Sequence, residues 1–152
     1  MSMIMRDGVS LMTNLTIEAR NVRTGEIQRQ EIANLTLTSG LNLIRDWAAG
    51  DAPAGISHFA VGTDGSAKDK SDPGLKTEVF RDAITQMTKG TGTLTLKYYL
   101  ATGSANGHTL REAGLVNASS GGTFYAVSVM DSIEKTALIE VTFTWVLTWT
   151  SV

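Results

Sequence analysis

The sequence predicts a mainly β protein, an antiparallel β-sandwich of immunoglobulin-like or related type with one short helix packed at an edge or end. Three observations favour this fold class. Apolar and polar residues alternate in several segments, most regularly over 139–150, and a period of two is typical of a half-buried strand. Gly-rich turn segments separate the apolar stretches at the spacing usual for antiparallel sandwiches. Only residues 39–49 have helical periodicity.

The N-terminal part of the chain divides into an arm and a hairpin. Residues 1–13 are rich in Met and are predicted to form a flexible arm, which leaves residues 14–152 as a single β-rich domain. From Asn14 onward, apolar residues recur at period two, a turn follows at Thr24-Gly25, and a second extended stretch ends near residue 37. This order predicts a hairpin over 14–37. The arm and the hairpin are the segments expected to reach a neighbouring subunit.

The predicted helix covers residues 39–49, with Ser39 available as N-cap and Gly50 as C-cap. Its apolar stripe must be buried against a sheet, because a helix of about three turns is only marginally stable alone. The sandwich core is expected over 56–150. Within it, residues 75–88 have a mixed pattern, which fits a continuous strand or a strand containing a helical turn.

The C-terminal segment has the clearest strand pattern in the sequence. One face carries only large apolar residues: Ile139, Val141, Phe143, Trp145, Leu147 and Trp149. Burial of each aliphatic or Phe side chain is worth about 1.5–3 kcal/mol, so this segment is predicted to be a long central strand without which the domain does not fold. The opposite face presents Thr142, Thr144, Thr148 and Thr150, which either contact the sheet of a neighbouring subunit or face water.

Composition and charge restrict the possible partners. A chain of 152 residues, of which 42% are hydrophobic and 18% charged, is expected to form one domain with one core. The net charge is −2, which does not indicate the basic surface that nucleic acid requires, so no nucleic-acid partner is expected. The absence of cysteine excludes disulfides, thiolate nucleophiles and Cys-ligated zinc. No apolar run reaches the ~18 residues of a membrane span, so no membrane insertion is expected.

The usual residues of catalysis are sparse and poorly spaced. His58 and His108 lack a partner at metal-ligand spacing, and no motif of a nucleophilic serine or a phosphate-binding loop is present. The loop carboxylates Asp64, Asp69 and Asp72 do not match a calcium-binding register. We therefore expect no catalytic residue, no metal and no cofactor, and we predict that the protein is not an enzyme.

Four charged residues stand within apolar stretches: Glu78 and Arg81 in "EVFRDAIT", and Arg111 and Glu112 in "TLREAGLV". Two carboxyl groups can act as an acid and base pair, but glycosidase chemistry also needs a sugar cleft, and the aromatic residues mostly fall on apolar strand faces. The favoured interpretation is structural ties or a subunit interface. The expected pairs are Glu78 with Arg111, or Arg81 with Glu112, because the planar guanidinium of Arg binds carboxylates bidentately.

Three short motifs follow one another along the chain. The stretch "HFAVG" at 58–62, the segment "EVFR" at 78–81 and the segment "REAGL" at 111–115 occur in this order and at this spacing in the sequence. Over roughly residues 39–150 the chain resembles the tail-collar fibre family and related tail-tip and baseplate collar proteins of long-tailed bacteriophages.

The resemblance implies a non-catalytic component of the virion. Such a protein is assembled in the host bacterial cytoplasm, docks on other proteins of the distal tail, and associates with copies of itself around the tail axis. Fibre members continue into a shaft, whereas this sequence ends at Val152, so the expected role is a collar or adaptor that attaches fibres.

A different class of function also fits the sequence, a carbohydrate-binding β-sandwich for glycans on the host surface. The aromatic residues that would stack on sugars are Trp47, Tyr99, Tyr125 and Trp149.

Overall fold

The computed structural model describes residues 8–152, and in them the predicted fold class is confirmed. Two antiparallel five-stranded sheets form a sandwich-like arrangement with one short helix. In spatial order, sheet A consists of β2 (Ile27–Ala33), β1 (Val9–Asn21), β10 (Ile139–Ser151), β7 (Thr93–Leu100) and β6 (Gln86–Gly90). Sheet B consists of β3 (Leu35–Thr36), β9 (Phe124–Lys135), β8 (His108–Val116), β4 (His58–Gly62) and β5 (Glu78–Ala83). Helix α1 spans Thr38–Ala48.

The C-terminal strand β10 is the centre of sheet A, as predicted. It pairs with β1 along its whole length and with β7 on its other side. Phe143 and Trp145 are fully buried and point toward sheet B, where Phe59 lies 4.5 Å from Phe143 and 5.5 Å from Trp145 between ring centroids. These distances are in the range of favourable aromatic contacts, so β10 supplies the middle of the core.

Strand β1 begins earlier than the sequence suggested. The prediction of a flexible arm over 1–13 is wrong for residues 9–13, which pair with the end of β10. The reason is that β10 is long enough to give β1 a hydrogen-bonding partner over these residues as well. Residues 1–7 of the expected arm lie outside the described residues.

The predicted hairpin over 14–37 is formed by β1 and β2 and ends at Ala33. Residues 35–36 leave sheet A and pair with β9 as the edge strand β3 of sheet B. The mixed segment 75–88 has a similar explanation, because β5 belongs to sheet B and β6 to sheet A. The chain changes sheets there, so no single strand periodicity can describe the segment.

The helix lies one residue before its predicted position. Its N-cap residue is Leu37, and the predicted N-cap Ser39 donates its hydroxyl hydrogen to the Phe124 carbonyl instead, at 2.7 Å. Gly50 follows the C-cap residue with a φ of +82°, a conformation that favours glycine. Ser39 therefore ties the first turn of the helix to β9, where the sequence predicted a local cap.

Candidate functional site

The loop between β4 and β5 covers the outer face of sheet B. We call residues 63–77 the strap. Its Leu75 packs on a small second core outside the main one, formed by Leu37, Ala60, Val116, Phe124 and Val127. The Lys70 carbonyl accepts a hydrogen bond from the Thr38 N–H at 2.8 Å, which joins the strap to the start of the helix. The strap is thus a packed layer, although its sequence is that of a polar loop.

Glu112 of β8 is the anchor of the strap. Its carboxylate is completely buried and accepts hydrogen bonds from the backbone N–H groups of Asp64, Lys76 and Thr77, at 3.2, 2.9 and 2.8 Å. The ammonium group of Lys68, whose side chain is also buried, donates to the same carboxylate. A buried carboxylate is tolerated when it is paired and hydrogen-bonded, and both conditions hold here. Glu112 therefore fixes both ends of the strap.

Gly62 makes this anchor possible. A Cβ atom at this position would lie 2.3 Å from a Glu112 carboxylate oxygen and 2.3 Å from the Thr77 carbonyl oxygen. The last residue of "HFAVG" is therefore a glycine because the carboxylate and the strap approach the β4 backbone closely.

Glu78 and Arg81 form a second tie on the same face of sheet B. The guanidinium of Arg81 donates to both carboxylate oxygens of Glu78, at 2.8 and 2.7 Å. It also donates to the carbonyls of Ala118 and Gly121, at 3.0 and 2.8 Å, and lies 5.3 Å from the centroid of the Phe124 ring. Arg81 thereby holds the β8–β9 loop against β5, a task suited to its five donors and planar shape.

The crosswise pairs expected from the sequence are wrong. Glu78 pairs with Arg81 three residues away, and Glu112 pairs with Lys68 of the strap. Arg111 is exposed and donates to the Thr63 carbonyl at 3.4 Å. The interpretation as structural ties describes the contacts of Glu78, Arg81 and Glu112. The sequence missed Lys68, because a lysine in a polar loop has no signal that separates it from its solvated neighbours.

The Glu112 carboxylate is poorly suited to general acid or base chemistry. Each oxygen already accepts two hydrogen bonds, and none of its surface is open to solvent. His58 contacts the Ser57 hydroxyl at 2.7 Å through Nδ1. Within residues 8–152, no group of three His, Asp or Glu side chains is placed to hold a metal ion. Over the same residues no helix has the length and apolar character needed to cross a membrane.

The predicted threonine face is the outer surface of sheet A. Thr144 lies opposite Thr16 and Lys97 on the neighbouring strands, and Thr148 lies opposite Met12 and Thr93. Thr142, Thr144 and Thr148 are half-buried, and Thr150 is exposed. Charged side chains at the other end of this face pair among themselves, as in Arg29 with Glu18 at 3.5 Å and Arg20 with Glu140 at 3.7 Å. The residues opposite Thr148 in the described strands, Met12 and Thr93, carry no charge.

The aromatic residues considered for sugar stacking do not share one surface. Tyr125 is buried in the main core, and the Trp47 indole N–H donates to the Pro53 carbonyl at 3.0 Å. Tyr99 is exposed on the outer face of sheet A, where its hydroxyl contacts Glu140. Trp149 lines a groove beside the β6–β7 turn.

Lys135 is a buried cation that the sequence analysis did not single out. Its ammonium donates to the carbonyls of Thr102 and Thr136, at 3.3 and 3.1 Å, and to the Asn106 side-chain oxygen at 2.9 Å. Burial lowers the pKa of Lys135 below its usual value of 10.5. The signal that could have identified it is its period-two spacing from the buried Ile133 of the same strand.

A groove of about 400 Å3 lies between the β1–β2 turn and the end of β9. Its lining includes Glu26, Gln28, Ser132, Glu134 and Thr136. None of the charged residues predicted as ties contributes to it, so the ties and the groove are separate features.

Comparison with known proteins gives no relative. No protein-family model matches the chain, and no curated protein or solved structure is significantly similar to it.

Proposed function

We propose that the chain is a non-enzymatic structural protein of a bacteriophage tail tip or baseplate, a collar or adaptor that associates with copies of itself and attaches to other tail proteins. The proposal starts from the resemblance of "HFAVG", "EVFR" and "REAGL" to the tail-collar fibre family. Its place would be the virion, after assembly in the host bacterial cytoplasm.

One observation carries the proposal. Residues of all three motifs come together on the outer face of sheet B, where Gly62, Glu112 and the Arg81–Glu78 pair hold the strap and the β8–β9 loop. These motif residues are occupied by internal contacts that fix loops. This use of charge favours a rigid building block over a site that binds and converts a substrate, because reactive groups need free lone pairs or donors facing the substrate.

Electron microscopy of tails tests the proposal. Tails isolated from the phage or prophage that carries this sequence, labelled with antibodies against the purified protein, should show label at the distal end. Label on the capsid, or particles without label, would contradict the tail assignment. The genes beside the coding sequence give an independent check, since a tail-tip protein should be encoded among tail-tape, distal-tail and fibre genes.

A further inference from the structure

We propose that neighbouring copies of the chain join head to tail through sheet A, with the start of β1 of one copy pairing antiparallel to β6 of the next. This inference rests on the proposed function, since it specifies the contact through which the copies associate. It is argued from the backbone hydrogen bonds at the two edges of sheet A.

The first open edge is the beginning of β1. Strand β2 pairs only with residues 14–20 of β1, and the Asn34 N–H donates to the Thr13 carbonyl at 2.8 Å. Even-numbered residues of β1 point their backbone N–H and C=O groups toward β10. The bonds from Val152 N–H to the Gly8 carbonyl and from Val22 N–H to the Leu138 carbonyl show this. By alternation, Val9 and Leu11 point their backbone N–H and C=O groups to the other side. Among residues 8–152, no strand pairs with Val9 or Leu11 on that side.

The second open edge is β6, at the opposite side of the same sheet. The Trp149 N–H donates to the Gly92 carbonyl at 2.8 Å. Even-numbered residues of β7 therefore point their backbone N–H and C=O groups toward β10, and odd-numbered residues point theirs toward β6. Met87 and Lys89 stand opposite the even-numbered Leu96 and Leu94, and their backbone groups therefore point away from the sheet. All five residues of β6 are exposed, and no strand of the described chain pairs with its outer side.

The two edges match each other in strand direction and in the number of residues with free backbone groups. Strands alternate in direction across sheet A, so β1 and β6 run antiparallel. A copy rotated about an axis parallel to the strands keeps its strand directions, and its β1 therefore meets β6 in antiparallel orientation. Each edge offers two residues with free N–H and C=O groups, spaced two apart. The pairs are Leu11 with Met87 and Val9 with Lys89, which makes Ser10 the residue opposite Thr88.

Charge favours this pairing over pairing of two β6 edges. Val9 is 64% exposed and Met87 47% exposed. Both lie on the core-facing side of sheet A, because Val9 is in phase with the buried Leu15 and Met87 stands opposite the buried Leu96. The open part of β1 carries no charge, whereas β6 carries Lys89. Pairing of two β6 edges through these residues would place Lys89 of each copy opposite Met87 of the other, so the two lysines would lie at diagonal positions on one face of the sheet. A lysine on an edge strand disfavours such contact. The uncharged β1 edge brings no second lysine to the contact, and a head-to-tail contact of this kind can close into a ring.

Disulfide trapping tests the contact, and the chain has no native cysteine to interfere. Ser10 and Thr88 would form a non-hydrogen-bonded antiparallel pair with Cα atoms about 4.5 Å apart, within the range that a disulfide spans. Under oxidation, the double variant Ser10→Cys/Thr88→Cys should form a ladder of linked multimers on non-reducing gels. Each single variant should stay monomeric on the gel. A control with Ser10→Cys and Ser120→Cys, which places the second thiol in the β8–β9 loop, should give no ladder.

The outcomes separate this inference from the proposed function. An oligomer by light scattering without a ladder would overturn the β1–β6 contact and leave self-association standing. Dimers of Ser10→Cys alone would show two-fold pairing of β1 edges and overturn the head-to-tail contact. A monomer at every concentration would overturn both the contact and self-association. A ladder together with unlabelled tails would support the contact and remove the tail assignment.

A surface variant gives a second readout. Met87→Lys adds a charge to the exposed edge and should raise the dissociation constant of the oligomer at least about tenfold while the melting temperature of the monomeric domain stays unchanged. The matched change Leu41→Lys, at an exposed position on the helix, should leave association unchanged. Equal association of wild type and Met87→Lys would overturn the inference.

Discussion

Replacing the buried Glu112 by Gln should destabilise the domain much more than the same change at an exposed glutamate. In the folded protein, one carboxylate oxygen accepts from Lys76 N–H and Lys68, and the other accepts from Asp64 N–H and Thr77 N–H. A glutamine amide keeps one acceptor oxygen and turns an NH2 group toward the other two donors. Either orientation therefore leaves two buried donors facing a donor.

The size of the effect follows from these contacts. Removing one partner of a buried ion pair costs about 3–5 kcal/mol, and each unsatisfied buried donor costs about 1–3 kcal/mol. Because glutamine keeps half of the acceptors, we expect the lower end, about 3 kcal/mol. For a domain of this length that corresponds to a melting temperature lower by about 6–12 °C.

Urea denaturation with an unchanged m-value measures this loss, and hydrogen exchange over residues 63–77 locates it. The matched control is Glu134→Gln, the same chemical change at an exposed residue, which should stay within about 0.5 kcal/mol of wild type. A loss below about 1 kcal/mol for Glu112→Gln, or unchanged exchange in the strap, would refute the assignment of Glu112 as its anchor.

Three further predictions follow from buried contacts. Gly62→Ala should cost more than about 2 kcal/mol in urea denaturation, because its Cβ would lie 2.3 Å from the Thr77 carbonyl oxygen, whereas Gly55→Ala, with no atom within 4 Å, should change stability little. The pKa of Lys135 is lower in the folded than in the unfolded protein, so between these two pKa values the unfolded chain binds more protons. The free energy of unfolding of wild type, relative to that of Lys135→Met, should therefore rise with pH in this interval. A difference that stays flat or falls would contradict the burial of the Lys135 ammonium. Truncation after Leu138 removes the central strand of sheet A, and the product should lack cooperative unfolding by circular dichroism.

The sequence predicts those parts of the fold that depend on local periodicity. The alternation from Ile139 onward identified the central strand, and the stripe at residues 39–49 located the helix to within one residue. The turn at Thr24-Gly25 also lies where the two strands of the hairpin meet, as the Gly25 N–H bond to the Asn21 carbonyl shows. Each of these elements has its own pattern, which does not depend on distant partners.

Other features depend on contacts between distant segments. The pairing of Glu112 with Lys68 joins residues 44 positions apart through a loop that periodicity does not describe. The start of β1 at Val9 depends on the length of β10, and the change of sheet after β5 is set by the packing of two layers. Sequence patterns could select Glu78, Arg81, Arg111 and Glu112 as unusual, but the partners of these residues follow only from the folded chain.

The molar mass of the purified protein in solution tests the central claim most directly, that this fold is a self-associating building block. Light scattering over a range of concentrations should give a mass that reaches at least twice that of the 16.2 kDa chain. A constant mass of one chain at every concentration would contradict the claim.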